Sequence, residues 1–361
     1  MTGSYLRRPA VWVAVAVVLL VALAAIFAVV TFKGGEPRGG SSSPATDPAR
    51  PQAGGEAPGA ADAPPPAACP PATVTVTTAA ELATALAAPE PGTVILLADA
   101  TYLGNFRGTG AGAADRPITL CGGSGAVLDG GGTEDGYVLH LDQAAYWTLQ
   151  GFTVRNGQKG VMADETTHSL IQGLTVEGTG DEAVHLRKFS SDNKVIGNTI
   201  RGAGLRKPKF GEGIYIGTAE SNWCDVSACE PDRSDRNEIR GNTVSETTAE
   251  SIDIKEGTSD GLLVKNTFDG SSISEADSWV DVKGKGWRIE GNVGKNSPMD
   301  GFQTHEIVDG WGTGNIFREN VAEVNGPGLG YSLKPVRDNV VECSNTASQA
   351  EQGLSNIPCT S

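Results

Sequence analysis

A short motif that returns every 22–28 residues constrains this chain more than any other feature. It reads LQGFTV (149–154), IQGLTV (171–176), VIGNTI (195–200), IRGNTV (239–244), LVKNTF (263–268), IEGNVG (289–294), FRENVA (317–322) and ECSNTA (342–347). Its fourth positions are Phe152, Leu174, Asn198, Asn242, Asn266, Asn292, Asn320 and Asn345, at steps of 22, 24, 44, 24, 26, 28 and 25. A regular period of this length means stacked repeats, each too small to bury its own apolar face. Short β runs and a glycine share of 48 in 361 residues fit coils of three strands joined by turns. Leucine-rich repeats have a similar period, but their LxxLxL signature is missing. The expected fold is all-β, a single-stranded parallel β-helix over residues 69–361. The 44-residue step is one coil with an insertion around Cys224 and Cys229. The six Asn are expected to stack as a ladder, each bonded to the next coil. AAELATALAA (79–88) reads as a short N-terminal capping helix.

A second set of strands follows several ladder positions: EAVHLR (182–187), EGIYIG (212–217), ESIDIK (250–255), SWVDVK (278–283) and DGFQTH (300–305). Alternation sends Val184, Leu186, Ile214, Ile216, Ile252, Ile254, Val280, Val282, Phe302 and Thr304 inward. One outward row runs His185, Tyr215, Asp253, Asp281, Gln303. Its neighbour runs Arg187, Gly217, Lys255, Lys283, His305. Glu182, Glu212, Glu250, Ser278 and Asp300 stand at the strand starts. Coils lie about 4.8 Å apart, so these side chains converge on one groove.

Carboxylates stacked beside lysines suit an acidic sugar polymer. Removing the C5 proton of a uronate needs a base, a cation on the adjacent carboxylate, and a proton or positive charge for the leaving oxygen at C4. Lys255 is the expected base, its pKa lowered by Lys283 one coil away. Lys283, Arg187 and His305 complete the expected catalytic group. His185, Tyr215, Gln303 and Trp279 are the expected sugar contacts, Trp279 by ring stacking. Glu212, Glu250, Asp253 and Asp281 are the expected ligands of a calcium ion. Two other readings stand beside this one. Asp253 and Asp281 also satisfy the paired carboxylates of a glycoside hydrolase, and charges stacked on a β face occur in proteins that only bind sugar.

The N-terminal region has another character. Residues 10–32 are 23 uncharged and mostly apolar residues after Arg7 and Arg8. That length spans a bilayer, and the arginines place residues 1–9 in the cytoplasm. A cleaved signal peptide is the rival, but its apolar core is shorter. Residues 33–68, rich in Pro, Gly, Ala and Ser, read as a disordered tether. Everything beyond is then extracellular, where the six cysteines (69, 121, 224, 229, 343 and 359) are expected to form disulfides. Fifteen pairings are possible; proximity suggests Cys224–Cys229 and Cys343–Cys359, leaving Cys69–Cys121. A net charge of −15 excludes nucleic acid as a partner. An acidic protein acting on an acidic polymer also needs a cation between them. A monomer is expected.

The opening of the domain, AAELATALAA through GTVILLADATY to RPITL, resembles the start of the alginate lyase/chondroitinase B family. That family lies within the right-handed parallel β-helix proteins of the pectate-lyase-like superfamily. AESIDIKEGTSDGLLVKNTF (249–268) is similar to the family's E-x4-K segment and the N-x-F ladder that follows it. The resemblance implies a right-handed helix, a calcium ligand at Glu250, a Brønsted base at Lys255 and Lys283 at the height of the family's arginine. Glu212 and Tyr215 occupy the region of the family's calcium-binding Asn. GFQTHE (301–306) looks like the GFDPHE segment of mannuronan C5-epimerases, with Gln303 where those enzymes carry a catalytic Asp. The expected activity is β-elimination on an acidic polysaccharide by a membrane-anchored extracellular protein.

Overall fold

The computed structural model describes residues 68–361; the expected cytoplasmic tail, membrane anchor and all but the last residue of the tether lie outside the described residues. No helix among the described residues is long and apolar enough to cross a membrane. From residue 74 the chain winds into a parallel β-helix with three sheets of 11, 10 and 10 strands. One coil shows the plan. Lys194–Ile196 lies in the 11-stranded sheet, Thr199–Ala203 in a 10-stranded sheet, and Ile214–Ile216 in the other, here the groove sheet.

The turn between the first two strands of a coil carries the Asn ladder. Asn198 donates from its backbone N–H and from Nδ2 to Asn242 Oδ1, both at 2.9 Å. The same pair of bonds repeats through Asn266, Asn292 and Asn320 to Asn345. These side chains are buried, so each satisfies a backbone group that no water reaches.

A second ladder lies after the groove strands. Asn193 N–H donates to Asn237 Oδ1 at 3.0 Å, and Asn315 N–H to Asn339 Oδ1 at 2.9 Å. Gly261 and Trp287 interrupt it. A Cβ on Gly261 would stand 2.3 Å from the Trp287 ring, so the glycine leaves room for the buried indole.

The inward residues expected on the groove strands are all fully buried. Towards the C-terminal coils they become aromatic: Phe302 stacks on Tyr331 with centroids 5.3 Å apart, and Phe268, Phe317 and Trp279 meet it edge-on. The helix Ala79–Ala87 starts at Thr78 with reciprocal bonds to Glu81 and buries Leu82 and Leu86 in the core. All three expected disulfides are present: Cys69–Cys121, Cys224–Cys229 and Cys343–Cys359.

Candidate functional site

The groove sheet stacks its strands in register. His185 pairs with Tyr215, Tyr215 with Asp253, Asp253 with Asp281, Asp281 with Gln303 and Gln303 with Ser332. The expected outward row is therefore real, and it continues one coil further to Ser332. Backbone bonds from Ala183 to Glu212 and from Gly213 to Glu250, both 3.0 Å, set Glu182, Glu212 and Glu250 on consecutive coils.

At the centre two lysines alternate with two aspartates. Lys255 Nζ is 2.6 Å from Asp253 Oδ2. Lys283 Nζ is 2.8 Å from Asp253 Oδ1 and 2.6 Å from Asp281 Oδ2. His305 Nδ1 takes the remaining oxygen, Asp281 Oδ1, at 2.8 Å. Every oxygen of both aspartates thus has a cationic or imidazole partner. No free carboxylic acid remains in the Asp253/Asp281 pair to act as a hydrolase's proton donor.

This arrangement reverses the expected effect on the lysines. Burial opposes the charge on Lys255, but Asp253, Glu250 and Glu212 outweigh it and push its pKa above the ordinary lysine value. Lys283 is also raised, because Asp253 and Asp281 overcome both burial and the repulsion of Lys255. Asp253 lies between the two ammonium groups, so lysine–lysine repulsion is the smaller effect. Lys255 is held in the form that gives a proton.

Tyr215 stands beside it, its ring centroid 4.9 Å from Lys255 Nζ. Burial pushes the phenol pKa well up, and Asp253 and Glu212 add to this. On its other side the ring meets His185 at 4.4 Å. His185 is buried and bonded through Nε2 to the Gly217 carbonyl at 2.9 Å, and burial lowers its pKa. It therefore packs beneath Tyr215 as a neutral ring.

Glu212, Glu250 and Asp253 bring one carboxylate oxygen each within 4.8 Å of one another. Glu212 Oε2 is buried and without a partner. Burial and the neighbouring carboxylates raise Glu212 well above its ordinary value and Glu250 to about 7. Glu212 and Glu250 have no ion-pair partner among the described residues, Asp253 shares its oxygens with the two lysines, and the three carboxylates together fit a hard divalent cation such as calcium. Asp281 is outside this trio, since Lys283 and His305 engage it.

Other expected residues lie further off. Arg187 and His305 are each two coils from Lys255 in opposite directions, about 10 Å away. Arg187 is paired with Asp164 at 2.8 Å. Gln303 donates from Nε2 to Asp300 at 3.0 Å. Trp279 is a correction: it is 0% exposed and donates from Nε1 to the Lys295 carbonyl at 2.8 Å. It precedes the strand Val280–Val282, where alternation does not yet apply, and the indole turns into space left by glycines. A Cβ on Gly270, Gly294 or Gly301 would stand within 2.7 Å of its rings.

Of the carboxylates that hold the network towards the N-terminal coils, sequence reasoning missed Asp164 and placed Glu182 at a strand start without giving it a role. Asp164 receives His140 and Arg187, and Glu182 receives Lys159. The strand Lys159–Asp164 belongs to the same sheet and carried the signal.

No family model matches the sequence, and no curated protein does. Solved structures do. The crystal structure of an alginate lyase from Paenibacillus sp. strain FPU-7 matches with a TM-score of 0.73 and 34% identity, over 80% of this chain and 100% of that one. Pectate lyase Pel9A matches with a TM-score of 0.50 and 15% identity, over 80% of this chain and 81% of that one, a likeness of fold alone.

Proposed function

Because the chain belongs to the family of that β-helical alginate lyase, a polysaccharide lyase family, we propose that it cleaves a uronate-containing polysaccharide by β-elimination in this groove. The observation that carries the reading is 34% identity along the whole length of a lyase. Lys255 and Tyr215 are the acid–base pair. Lys255, held protonated by Asp253, gives its proton to the O4 leaving group. This departs from the expected role of Lys255 as base. Tyr215, on the adjacent strand, takes the C5 proton as its phenolate, after its own hydroxyl proton has gone to solvent. The carboxylates that oppose its ionisation, Asp253 and Glu212, belong to the trio that would hold calcium. When bound, the cation would neutralise the substrate carboxylate and make the C5 proton more acidic. Lys283 fixes Asp253 and Asp281 in place. Glu212 and Glu250 would hold the ion with Asp253.

The proposed setting is extracellular, with residues 10–32 as a membrane anchor and 33–68 as a tether. That reading rests on the apolar run and the Pro/Gly-rich composition. The polymer would reach the groove as a monomeric protein's substrate. The deciding experiment incubates the full-length protein with alginate, pectate and glucuronan, with calcium and with chelator. New ultraviolet absorbance from unsaturated uronate, lost in Lys255→Met and Tyr215→Phe, is the expected result. Reducing ends without that absorbance would replace the lyase by a hydrolase.

A further inference from the structure

The cations along the groove are not distributed evenly. Towards the N-terminal coils each has a carboxylate partner: Arg107 with Asp142, Lys159 with Glu182, Arg187 with Asp164 and Lys188 with Glu165. At the centre Lys255 and Lys283 are tied to Asp253 and Asp281. The C-terminal end differs. His305 pairs in register with Lys334 on the next coil. Lys334 is exposed, and its ammonium has no ion-pair partner among the described residues. His305 is fixed through Nδ1 to Asp281, which leaves Nε2 free, and its side chain is 33% exposed. Asp281 is already bound by Lys283 on its other oxygen, so it offsets little of this charge.

The adjacent outward row supplies a second observation. Gln303 pairs in register with Ser332 on the same two coils. Gln303 Oε1 and Ser332 Oγ are both buried polar atoms with no hydrogen-bond partner, in side chains only 1% exposed. Buried polar atoms are rarely left unpaired without a ligand or ordered water to meet them. Two adjacent coils thus present an imidazole and an ammonium at the surface and two unmet polar atoms below.

We propose that His305 and Lys334, over Gln303 and Ser332, form a carboxylate subsite that binds one uronate residue of the polymer and sets the direction in which the chain lies. The assignment rests on the lyase reading of the groove. The uronate carboxylate lies between His305 Nε2 and Lys334 Nζ, and a sugar hydroxyl or its bound water reaches Gln303 and Ser332. The subsite is two to three coils from Lys255, about 10–14 Å, so it holds a sugar beyond the two that flank the broken bond. The opposite end, where cations and carboxylates cancel, offers no equivalent charge. An anionic chain therefore has one preferred end.

The test measures binding and turnover separately, in the full-length protein. Alginate-derived oligouronates of defined length are the probe, with the same oligomers methyl-esterified as the neutral control. Lys334→Met and His305→Gln should each weaken binding of the acidic oligomers roughly tenfold, the scale of one charge-assisted contact. KM should rise by a similar factor, with kcat of Lys334→Met changed less than about twofold. Esterified oligomers should bind wild type and variants alike. Oligomers too short to reach the subsite should show no difference. Lys194→Met, a charge removed from the 11-stranded sheet, should leave binding unchanged. Acidic oligomers bound equally by wild type, Lys334→Met and His305→Gln would overturn the subsite. Absence of unsaturated product from wild type would overturn the lyase reading instead, and the binding comparison would still decide the subsite.

Discussion

Lys255 Nζ lies 2.6 Å from Asp253 Oδ2, and this contact decides which way a proton moves at the centre of the groove. A lysine whose pKa is raised stays protonated through neutral and mildly alkaline pH, so it serves as an acid. Asp253→Asn removes the main source of that rise. The alkaline limb of kcat/KM, where the acid form is lost, should then move to lower pH. An alkaline limb that stays in place would show that Lys255 is not the group titrating there. Lys255→Arg keeps the charge but cannot release a proton, and should lose about 10²–10⁴-fold in kcat. Full activity in that variant would leave Lys255 only an electrostatic role.

Tyr215→Phe keeps the ring over His185 and removes one hydroxyl. Turnover should fall by about 10²–10⁴-fold with thermal stability nearly unchanged. Retained turnover would place the base elsewhere.

Stability should depend on pH in two windows. Glu250, raised to about 7, and Glu212, also raised, bind protons in the folded state that the unfolded chain has released above about 4.5. Between these values the native state holds more protons, so stability should fall as pH rises. Asp281 and Asp164 have the opposite sign. Burial works against them, but Lys283 and His305, or His140 and Arg187, hold both below the usual carboxylate range. Their contribution is full above about pH 4 and disappears on further acidification. Melting curves in chelator should show both trends, and Glu250→Gln should flatten the first. Calcium at neutral pH should raise the melting temperature of wild type more than that of Glu250→Gln. A flat profile from pH 4.5 to 7, with no response to calcium, would contradict the reading of the trio.

Trp279→Ala should destabilise the fold by about 3–5 kcal/mol, the usual scale for emptying a buried aromatic site. KM for polymer should not change in the folded fraction. A higher KM with unchanged stability would restore the ring-stacking role that its burial argues against.

The fold was legible because a β-helix writes its contacts as repetition. An Asn that bonds the Asn of the next coil must recur once per coil, and the spacing from Asn198 to Asn345 records this directly. The second ladder was not visible, because Gly261 and Trp287 interrupt it and no single residue type marks it. The rows of the groove were also readable, since strand alternation and parallel register carry over from coil to coil. Charge states were not. Lys255 and Lys283 are neighbours in a stacked alignment, and only the side-chain geometry puts Asp253 between them. Trp279 failed for a related reason: alternation holds within Val280–Val282 but says nothing about the residue that enters it.

The 44-residue step between Asn198 and Asn242 leaves the architecture undisturbed. Asn193 still bonds Asn237 at 3.0 Å, and the strands on either side keep their register. Most of the added residues leave the spiral after the strand Ile214–Ile216 and rejoin it at the next strand, Glu238–Arg240, with the Cys224–Cys229 link within the detour. Such a frame separates the inheritance of shape from the inheritance of specificity. Loops beside the groove can lengthen, shrink or be exchanged between relatives while the hydrogen-bonded spine is passed on intact.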